Sequence, residues 1–449
     1  MLQEINPNLI NVRDVFCENG QYPQLTLIVS DKQLGVLGYL VVDSLADGKC
    51  SGGIRMAHDI TLGEVAGLAR AMTLKYAFSG LYVGGAKAGI VCPLGASDGQ
   101  KREILTAFGR NLGPVMRSFY APGGDIGVGA DEVDVVKQGA GIVPSHPPAK
   151  YRAGFFTAYG VFVSAQAALR QLGLELKGCS FALEGFGGVG QSLAKMLHAA
   201  NARITAISTM EGGIVNKNGL DVAELVTLAK QYGDDVVHHY PDADKIDKAD
   251  LFGLDVNVIV PGARAWSITA ENANSLKANL VVPSANIPVT KDASAMLYER
   301  GVKYIPDFVT NWGGIVGCGL LNRGYDEREV LSLLDKIVGA KVERIMQLSK
   351  QEYLSTEEIA ERIANYNYEQ LRRNVYLKKN KKWRWIVKKL KEEKSLMPMI
   401  ERTAWVLHDK MNARRHLAKR LLRPLAIANI HRRHQDALSE IDLLFTANT

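Results

Sequence analysis

The sequence predicts an α/β chain of two domains with a basic helical extension at its C-terminal end. Three observations predict it. First, apolar and polar residues alternate in QLTLIVS (24–30) and GVLGYLVVDS (35–44), and a helical period follows from about Thr61. Second, CSFAL (179–183), the turn EGFGGVG, the helix QSLAKMLHAAN and RITAIS (203–208) read as one βαβ unit. Third, residues 366–449 hold 20 Lys/Arg and 8 Asp/Glu, a net of +12 in a chain of net +7, which leaves −5 for the rest. The basic character belongs to the tail and not to the globular body.

Bulk properties bound the remainder. A length of 449 residues allows two or three domains and a sizeable core. Hydrophobic residues make up 47% and charged residues 22%, the balance of a soluble globular protein. No apolar run reaches the roughly 20 residues of a membrane span. The opening MLQEINPNLINVRD lacks the basic and apolar regions of a signal peptide. Cys17, Cys50, Cys92, Cys179 and Cys318 form no CxxC pair and are odd in number, so neither a disulfide framework nor a metal site is expected. A reducing, cytoplasmic setting fits that pattern.

Taken in order, the first helix carries Leu62, Val65, Leu68, Ala69 and Met72 at helical spacing, and Lys75 falls on the same stripe. A lysine there either snorkels to water or meets a buried partner or ligand. GGAKAG (84–89) strips the bulk from both sides of Lys87. Glycine lets backbone approach closely, and a desolvated amine loses proton affinity, which is one recipe for a catalytic lysine. Alone, these six residues read better as a tight turn whose lysine faces water. Asp125 sits in APGGDIGVG, where a turn aspartate is the simplest reading.

SHPPAKYRAG (145–154) marks a boundary, and a helix through TAYGVFVSAQAALRQL follows. Gly185, Gly187 and Gly190 form G-x-G-x-x-G between a strand and a helix, the context that favours dinucleotide binding over a plain turn. The second strand ends in Ser208-Thr209-Met210-Glu211. Thr209 would not repel a 2′-phosphate, while Glu211 can reach a ribose, so NAD and NADP both stay open. VNVIVPG (256–262), NLVVPSAN (279–286) and VKYIPDFV (302–309) continue the alternation and predict a parallel, doubly wound sheet. NWGGIVG (311–317) then feeds a helix, and Val330, Leu331, Leu334, Ile337 and Val338 mark another. STEE (355–358) is a capping box that opens a further helix.

Eight stretches stand in a fixed order: GGIRM (52–56), MTLKYA (72–77), GGAKAG (84–89), GGDIGVG (123–129), FTAYGV (156–161), GFGGVG (185–190), SANIPVT (284–290) and PDFVTNWGGI (306–315). Over residues 10–370 they resemble the Glu/Leu/Phe/Val amino acid dehydrogenase family. The resemblance implies an N-terminal α/β substrate and dimerisation domain at 1–147, completed by helices returning at about 325–373. It implies a Rossmann-type, doubly wound dinucleotide-binding domain at 148–324, with a basic helical extension at 374–449 beyond the family's usual end. It also implies reversible oxidative deamination of an amino acid to a 2-oxo acid and ammonia with NAD or NADP, in a homo-oligomer, often a hexamer.

The resemblance assigns roles as well. Lys87 and Asp125 would be catalytic, the first activating water and the second shuttling protons. Lys75 would bind the substrate carboxylate, with Gly53, Met72, Ser51, Asn286 and Cys318 around the substrate. Thr157, Gly185, Gly187, Gly188, Val189, Gly190, Thr209, Asn286 and Asn311 would bind cofactor. The glutamate members pair the side-chain carboxylate with a lysine before the GG and a serine on the NxGG helix. Ser51 and Cys318 stand there instead, and neither is cationic. A neutral, bulky apolar substrate is therefore expected, with room supplied by Gly123, Gly317, Cys318 and Gly319. A glutamate dehydrogenase with an atypical clamp is the alternative, and a catalytically silent binding protein that uses its tail is another.

Trp312 replaces the small residue of the family's NAGG stretch, and Pro283 and Ser284 replace the usual pair before AN. In the tail, KKNKKWRWIVKKLKEEK (378–394) and NARRHLAKRLLRPLAIANIHRRH (412–434) are basic and amphipathic. They suit an anionic surface or another subunit, no nucleic-acid motif accompanies them, and packing on the body is the simplest reading.

Overall fold

The structure is a computed structural model that describes residues 22–143 and 152–372. The expected linker (mostly 144–151), the N-terminal 21 residues and the tail from 373 lie outside the described residues.

The first domain is built on a five-stranded sheet of order β1-β2-β4-β3-β5. Its strands are β1 (Leu25–Asp31), β2 (Gly35–Val42), β3 (Cys50–Ala57), β4 (Gly84–Val91) and β5 (Tyr120–Gly124). β2 runs antiparallel to β1 and β4, while β3 is parallel to both β4 and β5. Helix α1 (Leu62–Phe78) starts on Thr61, whose hydroxyl accepts from the Glu64 N–H at 3.2 Å. α1 is buried almost all round in its last two turns, because the first sheet lies on one side and the second domain on the other. Helices α2 (Asp98–Ser118) and α3 (Ala130–Gly139) cover the other face, around Leu40, Ile54, Ala86, Ile90, Phe108 and Val136.

GGAKAG is not a tight turn. It is the first six residues of β4, a central strand with six of these positions buried. The small residues admit a neighbouring backbone. A Cβ on Gly85 would stand 2.2 Å from the Thr73 N of α1, and one on Gly52 would stand 1.5 Å from the Ala86 carbonyl. Helix and strand are pressed together here, which carries Lys75 and Lys87 towards each other.

The second domain begins with α4 (Ala153–Gln171) and builds a seven-stranded sheet of order β12-β11-β10-β6-β7-β8-β9. β6 (Ser180–Glu184), α5 (Gly188–Ala199) and β7 (Arg203–Thr209) form the expected βαβ unit. β8 (Gly212–Val215), α6 (Val222–Tyr232) and β9 (Asp244–Ile246) follow, then β10 (Val258–Val260), β11 (Leu280–Val281), α7 (Lys291–Glu299) and β12 (Lys303–Tyr304). The strands from β12 to β7 are parallel, as in a Rossmann-type sheet. The expectation of a wholly parallel sheet fails at one edge, where β8 and β9 are antiparallel. Only Met210 and Glu211 separate β7 from β8. So short a link makes a hairpin and leaves no room for a crossover helix.

Helices α8 (Asp307–Thr310), α9 (Gly313–Leu321) and α10 (Glu327–Glu352) lead back. A last helix runs from 356 to 372, opened by the Ser355–Glu358 box, with the Glu358 N–H 3.1 Å from the Ser355 hydroxyl. It reaches the first domain: Tyr368 donates to the Leu45 carbonyl at 3.2 Å. Among the described residues, no helix is long and apolar enough to cross a membrane.

Candidate active site

The site forms where β3, β4, β5 and α1 of the first domain face the loops after β10, β11 and β12 of the second. Lys87 points from β4 into the interior, and its Nζ lies 2.8 Å from Asp125 Oδ2. Asp125 follows β5 in a tight reversal in which Asp125 and Val128 exchange backbone hydrogen bonds and Gly127 takes a φ of +74°. Arg55, on β3, donates from Nε to the same Asp125 oxygen at 2.9 Å and from a terminal nitrogen to Glu64 at 2.6 Å. Burial alone would raise the Asp125 carboxyl, but Lys87 and Arg55 together hold it well below the usual carboxylate range. Burial lowers the Lys87 amine and Arg55 lowers it further, against the pull of Asp125. Gly53 leaves room for the pair: a Cβ there would stand 3.1 Å from Asp125 Cβ and 3.2 Å from Lys87 Nζ.

The second lysine crosses between the domains. Lys75 Nζ donates to Asn286 Oδ1. Asn311 Nδ2 donates to the same oxygen at 3.1 Å and to the Ala285 carbonyl at 3.0 Å. Burial lowers the Lys75 amine to about 8; Asp307 opposes that and Lys87 adds to it. Asp307, at the start of α8, is buried and shifted up by burial against the opposing charge of Lys75. Its Oδ2 has no hydrogen-bond partner among the described residues, and neither has the buried Asn311 Oδ1. Buried acceptors left without a hydrogen-bond partner are costly.

Other expected residues fall into place less uniformly. Ser51 donates to the Ala121 carbonyl at 2.9 Å, and Met72 lies buried one turn before Lys75. A Cβ on Gly123 or Gly319 would meet open space, as a pocket wall requires. Gly317 does not serve that purpose. A Cβ there would strike the Phe156 ring at 2.4 Å, so this glycine seats α9 on α4. Cys318 is half-buried, its thiol pushed up by burial. Trp312, which replaces the small residue of the NAGG stretch, is 1% exposed and belongs to the same apolar core as Phe156, Phe308 and Ile337. The Pro283 carbonyl accepts a hydrogen bond from the Thr310 hydroxyl at 2.5 Å, and Ser284 donates its N–H to the Pro261 carbonyl at 2.8 Å.

The nucleotide turn has the shape a dinucleotide needs. Gly185 holds a φ of +83°, and a Cβ on Gly190 would lie 2.3 Å from the Gly185 carbonyl, which packs strand against helix. Gly187 precedes α5 without a side-chain cap, and a Cβ on Gly187 or Gly188 would meet nothing within 4 Å. The start of α5 is therefore uncrowded by side chains, as a phosphate bound at a helix N-terminus requires. Val189 packs on the core, and Thr157 Oγ1 would lie 2.4 Å from a Cβ on Gly314. Together with the open Asn311 acceptor, suited to a carboxamide N–H, these residues fit a nicotinamide dinucleotide. The Thr209 hydroxyl is engaged within the protein, donating to the Asp234 carbonyl beyond α6 at 2.7 Å and accepting from the Glu211 N–H at 3.2 Å. The exposed carboxylates of Glu211 and Asp235 stand within 4.8 Å of each other at that strand end.

Residues 152–376 match the Glutamate/Leucine/Phenylalanine/Valine dehydrogenase family, and residues 25–140 match that family's dimerisation domain. The chain belongs to the Glu/Leu/Phe/Val dehydrogenase family. A glutamate dehydrogenase of Thermotoga maritima is 32% identical over 336 residues, which span 70% of this chain and 80% of the relative. A catabolic NAD-specific glutamate dehydrogenase of Bacillus subtilis is 30% identical over 352 residues, covering 73% and 80%. The hetero-hexameric glutamate dehydrogenase of Thermus thermophilus, in its Leu-bound form, superposes with a TM-score of 0.67 at 26% identity over 80% of this chain and 90% of that one. L-tryptophan dehydrogenase from Nostoc punctiforme shares the fold, with a TM-score of 0.54 at 22% identity over 81% and 98%. This family member is thus an amino acid dehydrogenase, an oxidoreductase acting on CH–NH2 donors with NAD or NADP as acceptor.

Sequence reading missed Arg55, Glu64 and Asp307. Arg55 was visible inside GGIRM as a charge between two strand-like apolar residues. Asp307 stood in PDFVT, where helix N-terminal aspartates are commonplace.

Proposed function

We propose that this chain catalyses reversible oxidative deamination of an L-amino acid, with Lys75, Lys87 and Asp125 as the working groups. One observation carries the reading: Lys87 and Asp125 are paired at 2.8 Å inside the protein, with the Lys75 amine buried nearby and electrostatically coupled to both. Protonated Lys75 binds the substrate α-carboxylate. Asp125 takes up and returns a proton at the substrate nitrogen. Lys87, its proton affinity reduced by burial, activates the water whose oxygen replaces that nitrogen. A nicotinamide dinucleotide bound there would supply the acceptor for the Cα hydride. Asn311 and Asn286 orient the reacting groups, and the α5 N-terminus holds the phosphates. Glu211 and Asp235 favour NAD, since both would repel a 2′-phosphate. The catalytically silent alternative has nothing in its favour, since all three working groups are present.

Two readings of the substrate side chain each have support. Three of the four proteins named above are glutamate dehydrogenases, and they back glutamate better than the expected bulky neutral amino acid; the fourth, a tryptophan dehydrogenase, shares the fold alone. Against that, Ser51 and Cys318 bring no cation to the place where a second carboxylate would lie, and a buried carboxylate without a partner is costly. We further propose domains at 1–147 with 325–373 and at 148–324, assembled as a homo-oligomer. The test is absorbance at the reduced-nicotinamide band with a panel of L-amino acids and both cofactors. Reduction by any member supports the chemistry, and the choice between glutamate and Leu, Phe or Trp decides the side chain. No reduction by any amino acid would overturn the reading.

A further inference from the structure

The loop after β10 crosses to the first domain through one side chain. Arg264 donates to Asp59 Oδ2 at 2.6 Å and to Glu64 Oε2 at 3.2 Å. Its two partners differ. Asp59 is half open to water, its carboxyl held below the usual range first by the Arg264 hydrogen bond, while the Glu64 side chain is only 4% exposed. Glu64 splits its oxygens, since Oε1 takes Arg55 at 2.6 Å and Oε2 takes Arg264. Arg55 in turn holds Asp125. Alternating charges therefore run without a gap from an exposed loop of the second domain to the Lys87–Asp125 pair.

The same loop and the loop after β11 are seated together on α1. A Cβ on Gly67 would stand 2.9 Å from Ile287 and 3.9 Å from Trp266, and the Trp266 N–H bonds the Ile287 carbonyl at 2.9 Å. Gly67 thus lets the second domain lie close against the helix that carries Lys75. Were the domains to part, Glu64 Oε2 would lose Arg264, while Arg55 would keep Oε1.

We propose that Arg264 is a positioning residue: its clasp on Asp59 and Glu64 holds the cleft shut and, through Glu64 and Arg55, sets Asp125 for proton transfer. The proposal rests on the role given above to Asp125. Unlike Arg55 and Glu64, Arg264 is 43% exposed at its side chain, so it can be changed without opening the core.

The experiment compares the full-length wild type with R264Q, R264K, D59N and the R264Q/D59N double variant. It reads steady-state kinetics at low and at 0.5 M added salt, and thermal melting without ligand. The expected loss in kcat/KM for R264Q is roughly three- to tenfold, the worth of one partly buried charge pair. Melting should be unchanged, R264K should recover part of the loss, and D59N should add nothing on the R264Q background. Salt should slow the wild type more than R264Q, because the outer pair is screened. Wild-type kinetics in R264Q, or additive losses in the double variant, would overturn the clasp while leaving the proposed function intact. A wild type inactive towards every amino acid would overturn both.

Discussion

Lys341, on α10, is 3% exposed, and its amine donates to the Phe78 carbonyl at the end of α1. It lies 4.6 Å from the Phe78 ring and 5.6 Å from the Trp312 ring, and no carboxylate pairs with it among the described residues. Burial alone lowers it from 10.5 to about 7. The folded chain therefore releases this proton at lower pH than the unfolded chain, so the unfolded state binds more protons between about 7 and 10.5. Stability must rise with pH across that window, and below pH 7 the full penalty of a buried charge is present. Integrating the two titrations from pH 6 to pH 9 gives a gain of roughly 3 kcal/mol from this one group, at about 1.4 kcal/mol per pKa unit. Lys341→Met keeps the volume and removes the titration. Urea unfolding of both proteins at pH 6 and pH 9 is the assay, and the difference in slope isolates Lys341 from Lys75 and Lys87. Equal pH slopes would refute the argument, since they would mean that the amine titrates alike in both states.

Three further outcomes follow from the site. The pH profile of kcat/KM should fall through about 8 as Lys75 loses its proton; in Lys75→Arg that alkaline limb should disappear, whatever the loss in rate. Gly53→Ala should cost about tenfold or more in kcat with cofactor affinity kept, because the new methyl sits 2.8 Å from the Gly124 carbonyl and 3.2 Å from Lys87 Nζ; unchanged kcat would place the reacting groups elsewhere. NAD should be preferred to NADP, and the Glu211→Ser, Asp235→Ser double variant should shift kcat/KM towards NADP by roughly 10-fold; no shift would remove these carboxylates from the ribose site.

Much of the site was legible because its parts are short motifs with rigid local geometry. The glycine turn of α5 and the Ser355 cap are set by neighbours in sequence, and they form as read. Lys87 shows the limit. Glycine-rich sequence reads as a turn unless something else explains the missing side chains, and the explanation here is α1 pressed onto β4. The β7–β8 hairpin was hidden because Thr209 to Gly212 also reads as the end of a parallel strand. Gly317 looked like pocket space because the Phe156 ring that fills its place lies 161 positions earlier on another helix. Arg264 was unreadable for the same reason: Asp59 and Glu64 lie some 200 positions away, brought close only by the packing of two domains.

The most direct test of the whole account is the initial rate of NADH formation from L-glutamate and from L-leucine, L-phenylalanine and L-tryptophan, with wild type and with Lys87→Ala side by side. The account predicts reduction by at least one of these with the wild type, and loss of nearly all of it in Lys87→Ala while NAD still binds. An Lys87→Ala enzyme as fast as the wild type would contradict the assignment of the buried Lys87–Asp125 pair as the reacting centre.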